Sequence, residues 1–236
     1  MKRIALITGA ASGIGKACVC ALREDGLTVA ETDRSRSDYI MDVTDEATLE
    51  ATFDRVETEL GKISVLVTCA GTMIARTMER PSLTQITAED WDETFRVNAR
   101  GTFFAVRALL RRRLADPVPH GRIVTISSVA GQSGGTRGGA DYAASKAAVL
   151  SLTKLAAREA ATIAMTVNSV APGLVETPLF RSVNAPQNDE SLLAAVPLKR
   201  IATPQEVAGA VRFLISENAS YITGSVIDIN GGSRMQ

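Results

Sequence analysis

Tyr142 and Lys146 stand four residues apart in Tyr142-Ala-Ala-Ser145-Lys146, a spacing that puts a phenol and an ammonium on one helix face, one turn from each other. A free phenol, with a pKa of about 10, is a poor proton carrier at neutral pH, and a neighbouring ammonium favours its phenolate. The pattern by itself arises often by chance on exposed helices. Here it follows Ile123-Val-Thr-Ile-Ser127-Ser128, an apolar strand ending in two hydroxyls, through a glycine-rich loop. Together these segments would bring a hydroxyl donor and a phenol to one carbonyl oxygen, where a proton could be given or taken.

A second constellation lies near the start. Residues 8–15 read Thr8-Gly-Ala-Ala-Ser12-Gly-Ile14-Gly15, directly after a strand-like run and opening a helical pattern. Glycines at Gly9, Gly13 and Gly15 let backbone approach a pyrophosphate, and the helix N-terminus supplies unpaired N–H groups and positive potential. Glycine spacing alone is a weak signal; the strand before, the helix after and an acid downstream make it strong. The acid is Asp33, 18 residues after Gly15. Its carboxylate is placed to accept hydrogen bonds from an adenosine ribose diol and to repel the 2′-phosphate of NADP. Arg34 could pair with such a phosphate, but no basic residue within positions 10–12 would help it, so the expected cofactor is NAD, with NADP second. The bland alternative is that Asp33 is a solvated loop acid.

These groups need a scaffold. Strand-like runs at 3–8, 28–33, 63–68, 122–127, 166–170 and 225–229, with a short one at 39–41, alternate with helical patterns at 13–25, 46–60, 88–114, 142–160 and 204–216. Continuous apolar strands separated by helices imply a parallel sheet covered on both faces. The expectation is an α/β fold: one doubly wound Rossmann domain spanning 1–236, with a seven-stranded, mostly parallel sheet. Only residues 34–38 separate Asp33 from the short strand, too few for a helical crossover, so that edge should be thinly covered. The irregular stretch 178–199 is expected to be a substrate lid.

The totals narrow the class. The 236 residues carry 26 Lys plus Arg against 26 Asp plus Glu, which gives no general reason to expect nucleic acid or a membrane surface as partner. Three cysteines, at 18, 20 and 69, and one histidine make neither a disulfide framework nor a zinc site, so no metal is expected and the setting reads as reducing and cytoplasmic. The apolar run after Met1-Lys2-Arg3 is too short for a signal sequence or a membrane span.

Taken in order, these motifs resemble the short-chain dehydrogenase/reductase family over essentially the full length. Thr8 to Gly15 is similar to the family's cofactor loop, and Asp42-Val43 to its adenine-contacting pair. Asn98, in Phe95-Arg-Val-Asn98-Ala-Arg-Gly101, matches its active-site asparagine, and Ser128, Tyr142 and Lys146 match its other catalytic positions. Asn168 and Pro172-Gly173-Leu-Val175-Glu-Thr177 match the stretch that meets the nicotinamide carboxamide, and 224–232 the closing strand. The resemblance implies hydride transfer between nicotinamide and a carbonyl or secondary alcohol. Tyr142 would be the acid–base group, Ser128 the donor to substrate oxygen, Lys146 the modulator of the phenol and holder of the ribose, and Asn98 the support of a proton-relaying water. It also implies a homotetramer. Ser128, rather than Ser127, lies at the family's usual distance before the tyrosine.

Two departures stand out. Where the family carries Asn-Asn-Ala-Gly, this chain has Thr68-Cys69-Ala70-Gly71, so an amide brace is lost while Ala70 and Gly71 still permit close cofactor approach. Cys69 reads as a small buried filler. The short link after Asp33 should leave the adenosine pocket open. Other patterns are bland: Gly131-Gln-Ser133-Gly-Gly135 fits a hydrolase motif without the strand-to-helix turn or later histidine that motif needs. Arg111-Arg-Arg113 reads as a helix end facing water, Trp91 as a packing residue and His120 as a surface one. The nearest activity labels are 3-oxoacyl-carrier-protein reductase and sugar or alcohol dehydrogenase. A non-enzymatic NAD-binding regulator on the same fold is the alternative, and retention of Asn98, Ser128, Tyr142 and Lys146 argues against it. An epimerase of the extended type would need a longer chain. Substrate choice should depend on 178–199 and on side chains at 132–137.

Overall fold

The apolar runs become seven parallel strands of one sheet in a computed structural model, which describes residues 3–74, 81–135 and 139–235. In chain order the strands are β1 Ile4–Thr8, β2 Thr28–Asp33, β3 Tyr39–Ile40, β4 Ile63–Thr68, β5 Arg122–Ile126, β6 Thr166–Pro172 and β7 Val226–Ile229, arranged β3-β2-β1-β4-β5-β6-β7. The helices are α1 Gly13–Glu24, α2 Glu46–Leu60, α3 Ala88–Phe95, α4 Thr102–Ala115, α5 Val129–Ser133, α6 Ala140–Ala160, α7 Pro178–Arg181, α8 Asp189–Leu193 and α9 Pro204–Ile215. The chain lays β2 and β3 on one side of β1, then crosses to lay β4 on the other. That reversal opens a crevice beyond the carboxyl ends of β1 and β4, where ligands bind in open α/β sheets.

Both faces of the sheet are buried, which is why its strands read as unbroken apolar runs. Ile4 and Leu6 join a core with Leu49 and Phe53 of α2, Leu109 of α4 and Ala156 of α6. Ala5 and Ile7 point the other way, into a core with Cys18 and Leu22 of α1 and Val207, Val211 and Leu214 of α9. The link 34–38 forms no helix, and Ile40 at the sheet edge is 58% exposed, the thin cover that its length requires.

Four details differ from the sequence reading. The helical pattern 88–114 is two helices, α3 and α4, joined by a π-helical turn, Arg96–Gly101, that carries Asn98. Segment 178–199 holds α7, α8 and a 3-10 turn, Pro186–Asn188. Thr177 caps α7 by accepting from the Phe180 amide, and Arg181 ties Glu176 to Asp189. A short helix, α5, begins directly after Ser128, so Ser133 closes a helix where a nucleophile elbow would have its serine open one. Finally, the arginine run does not simply face water. Arg113 is 1% exposed and pairs with Glu57 at 2.9 Å, while Arg112 reaches Glu50 and Asp54, so only Arg111 of the three is exposed. The acids Glu50, Asp54 and Glu57 recur on one face of α2, which lies against α4. Trp91 is 38% exposed and stacks on Phe95, and the half-exposed His120 lies 3.7 Å from Glu217.

Candidate active site

Strand β5 ends where the chemistry begins. The hydroxyl of Ser127 turns inward and donates to the Lys146 carbonyl at 2.8 Å, bolting the strand to α6. Ser128, the next residue, faces the other way. It caps α5 by accepting from the Ala130 amide at 3.1 Å, and it lines one cavity with the Tyr142 phenol. Helix α5 can lie this close to α6 only because residue 131 is glycine: a Cβ there would come within 2.6 Å of the Lys146 backbone. That contact carries Ser128 to Tyr142. Ser127 therefore makes its hydrogen bond to main chain, to a carbonyl 19 residues away.

Lys146 is 5% exposed and donates to the Ile126 carbonyl at 2.9 Å, with its ammonium 5.9 Å from the Tyr142 ring centroid. Burial lowers its pKa to about 8, against a smaller opposing influence of Cys69. Burial also raises the Tyr142 pKa above the ordinary phenol value, and the neighbouring Ser128 hydroxyl works in the opposite direction. Desolvation outweighs the hydroxyl, so the phenol moves up where the spacing to Lys146 alone suggests that it would move down.

Asn98 is fully buried behind this group. Its amide brackets Thr72, donating to the Thr72 carbonyl at 2.9 Å and accepting from the Thr72 amide at 2.8 Å, and it also donates to Ser145 Oγ at 3.0 Å. Ser145 in turn donates to the Tyr142 carbonyl at 2.8 Å. The Asn98 carbonyl accepts from the Thr102 hydroxyl at 2.7 Å. A π turn is where helices commonly depart from regular bonding at functional sites. Ser145 and Thr102 received no role in the sequence reading; Ser145 lay inside the Tyr142–Lys146 motif, and Thr102 follows the Asn98 motif by one residue.

Ser128, Tyr142 and Lys146 open onto a cavity of about 400 Å³, which Ile14, Cys69, Gly71, Pro172, Gly173, Val175 and Thr177 also line. The β1–α1 loop beside it is shaped for a phosphate-bearing nucleotide. A Cβ at Gly15 would lie 2.1 Å from the Gly9 carbonyl, so glycine is required for helix and loop to touch. Ser12 makes no side-chain cap bond, so the first-turn amides of α1 face no capping side chain. Asp33 accepts from the Ala11 amide at 3.3 Å and from the Ser35 amide at 3.1 Å, fixing its carboxylate over the same loop. The Ala70 amide donates to Thr8 Oγ1 at 3.1 Å, a tether between β1 and β4. Thr68 Oγ1 has no hydrogen-bond partner among the described residues, the trace of the missing amide brace.

Other expected residues sit further off. Asp42 accepts from the Thr44 amide and Val43 packs beside Gly101, both near the end of β3 and outside the lining of this cavity. Asn168 is fully buried and ties β6 to the approach of β7 through the Ile222 carbonyl and the Ser225 amide, so it braces the sheet and does not line the cavity. Cys69 is half-buried at the cavity, and its pKa is raised by the neighbouring Cys18 thiol and by burial. The specificity segment 132–137 lies partly outside the described residues. The cavity lining also includes Leu179, Phe180, Asn184, Leu192 and Val196, from the segment 178–199 expected as the lid, and Arg234, which the sequence reading did not mark.

A family model described as enoyl-(acyl carrier protein) reductase matches residues 9–234. The chain belongs to the short-chain dehydrogenase/reductase family. It is therefore an oxidoreductase of carbonyl and alcohol groups that works with a nicotinamide cofactor. The 3-oxoacyl-[acyl-carrier-protein] reductase FabG of Escherichia coli K12 is 37% identical over 99% of this chain and 98% of its own. The crystal structure of 3-oxoacyl-[acyl-carrier protein] reductase from Brucella melitensis superposes with a TM-score of 0.90 at 31% identity, covering 99% of this chain and 92% of that one. The structure titled ElxO with NADP bound gives a TM-score of 0.90 at 30% identity and 99% coverage of both. No helix among the described residues is long and apolar enough to cross a membrane.

The two serines make a sharp test. Ser128→Ala should lower turnover by about 10²-fold or more if Ser128 is, as the family resemblance implies, the donor to the reacting oxygen. Ser127→Ala should lower it far less and cost stability instead, through its lost bond to α6. Steady-state kinetics and thermal melting of both variants check this; the opposite ranking of turnover would move the donor to Ser127.

Proposed function

We propose that this protein reduces a ketone, or oxidises the matching secondary alcohol, with Tyr142 as the acid–base group and NAD(H) as the preferred cofactor. The observation that carries the reading is the convergence of Ser128, Tyr142 and Lys146 on one cavity beside a glycine-built loop. The nicotinamide supplies or accepts the hydride when it is bound. Tyr142 gives its phenolic proton to the carbonyl oxygen during reduction and takes it back during oxidation. Ser128 donates to the same oxygen and orients it. Lys146, with its pKa near 8, is a proton carrier in the physiological range and the group that holds the cofactor ribose. Asn98 and Ser145 hold the Tyr142–Lys146 turn against the 71–72 segment, and Asn98 would support a water that relays protons to Lys146.

The preference for NAD rests on Asp33, whose carboxylate is anchored to the Ala11 amide and would repel a 2′-phosphate. Gly9, Ser12, Gly13, Ile14 and Gly15 take the pyrophosphate side, Asp42 and Val43 the adenine side, and Cys69 to Gly71 with Pro172 to Thr177 the nicotinamide side. Segment 178–199 acts as the lid, in one domain of 1–236 with the rest. The 3-oxoacyl reductases it resembles make a 3-oxoacyl compound the leading substrate. A reducing, cytoplasmic setting suits the free thiols.

The chain assembles as a homotetramer in this reading, because Phe103 and Leu114 on α4 and Leu155 on α6 expose apolar surface that one sheet does not need. Light scattering should give several times the mass of one chain; a monomer at micromolar concentration would refute the assembly.

Cofactor choice is tested by turnover of a ketone panel with NADH and NADPH in parallel. The ratio of kcat/KM values should favour NADH clearly, as the Asp33 carboxylate disfavours the extra phosphate. A preference for NADPH would transfer that recognition to Arg34 and remove the basis of the NAD assignment.

A further inference from the structure

The catalytic cavity has a neighbour. A second hollow of about 420 Å³ lies beside it, lined in part by Pro197, Leu198, Ala202, Ile229 and Met235. Among the described residues, Leu174 and Val196 alone line both spaces, so these two aliphatic side chains form the partition between them. Leu174 follows β6, and Val196 closes the turn after α8. Both are tied down through main chain. The Leu174 carbonyl accepts from the Ala202 amide at 3.0 Å, while the Val196 amide donates to the Leu193 carbonyl at 3.0 Å and its carbonyl accepts from the Lys199 amide at 3.0 Å. The buried Val196 side chain also rests on Gly231, where a Cβ would come within 2.8 Å of Val196 Cγ1. On the hollow's side, Leu198 and Met235 are 64% and 77% exposed, so that space meets solvent. Arg200 in the hollow is paired with Glu206 through two hydrogen bonds of 2.5 and 2.8 Å.

We propose that Val196, together with Leu174, is a specificity-determining residue that sets the longest apolar tail a ketone substrate can carry. This inference rests on the oxidoreductase reading of the cavity and on its 3-oxoacyl substrate class. The cavity of about 400 Å³ has to hold the nicotinamide as well as the ketone, which leaves limited room for a tail. A tail that outgrows that room meets the partition, and its outer methylenes stay in water. Each methylene that does leave water is worth about fourfold in affinity. A buried, close-packed side chain does not yield to an oversized ligand as a mobile surface one does, so the loss with length is steep. Behind the partition the hollow offers aliphatic wall that a longer tail would cover if the way were open.

The test uses two homologous series with tails from butanoyl to dodecanoyl length: 3-oxoacyl thioesters of N-acetylcysteamine, and methyl ketones. The readout is the ratio of long to short members, as kcat/KM and as dissociation constants with oxidised cofactor bound. Val196→Ala should raise that ratio by about tenfold, the worth of two methylenes or slightly fewer. Leu174→Ala should move it the same way, so either variant that stays folded decides the matter. Adding Leu198→Asp to Val196→Ala should remove most of the gain, because Leu198 lines the hollow and not the catalytic cavity. Ratios within twofold of wild type in the folded alanine variants would overturn the assignment. So would a gain that survives Leu198→Asp, since the tail would then not enter the hollow. Methyl ketones reduced while the thioesters are refused would count against the 3-oxoacyl class, and the methyl ketone ratio would still decide for or against Val196. Binding of both series without turnover would count against the oxidoreductase reading, and the ratio of dissociation constants would decide in the same way.

Discussion

The ammonium of Lys146 sits almost out of solvent at the carboxyl end of β5, and much of the site follows from making that tolerable. A buried amine disfavours its own charge, which is why its pKa falls to about 8. It is held by a strand-end carbonyl, that of Ile126, and this contact requires α6 to run across the end of the sheet at a fixed height. The Ser127 bond to the Lys146 carbonyl sets that height from the other direction. Once β5 and α6 are locked, Tyr142 has one place to go, one turn before Lys146, and glycine at 131 lets α5 bring Ser128 to it. A charge buried to be used costs stability, as functional groups commonly do.

The rest of the site is braced from behind by polar contacts between distant segments. Asn98 in its π turn joins Thr72 to Ser145 and so to Tyr142. Thr94 on α3 donates to the buried Asp141 carboxylate at 2.6 Å, beside Tyr142 at the start of α6. The bonds of Asn98 to Thr72 and Ser145 and of Thr94 to Asp141 cross 26 to 47 residues of sequence and place helix against helix with little freedom. A catalytic phenol needs such support, because misplacement by about an ångström can cost two orders of magnitude in rate.

Much of this was legible in the residues. Strands buried on both faces announce themselves as apolar runs, and Gly9 to Gly15 followed by Asp33 carries its own geometric reason for being near a nucleotide. The π turn was not legible, because a single extra residue in a turn leaves the apolar periodicity of 88–114 nearly intact. The pairing of Arg112 and Arg113 with α2 was missed because it depends on two helices lying together, and nothing in a basic run reveals its partner. Asn168 matched a family position by order in the chain, yet in space it braces β6 to the approach of β7. Segments 132–137 and 178–199 were marked as the substrate side, but their partners were hidden for the same reason: Gln132 and Asp228 meet across 96 residues. Short-range chemistry can be read from spacing, whereas the shape of a substrate pocket is a property of segments that meet only when folded.

The central claim is that Tyr142 moves the proton while the surrounding braces only hold it. Its most direct test is Tyr142→Phe, with NADH affinity read by fluorescence titration and ketone reduction read on the same preparation. The account predicts cofactor affinity within a few-fold of wild type and turnover lower by about 10²-fold or more. Turnover within a few-fold of wild type would contradict it, and would assign the proton to another group in the cavity.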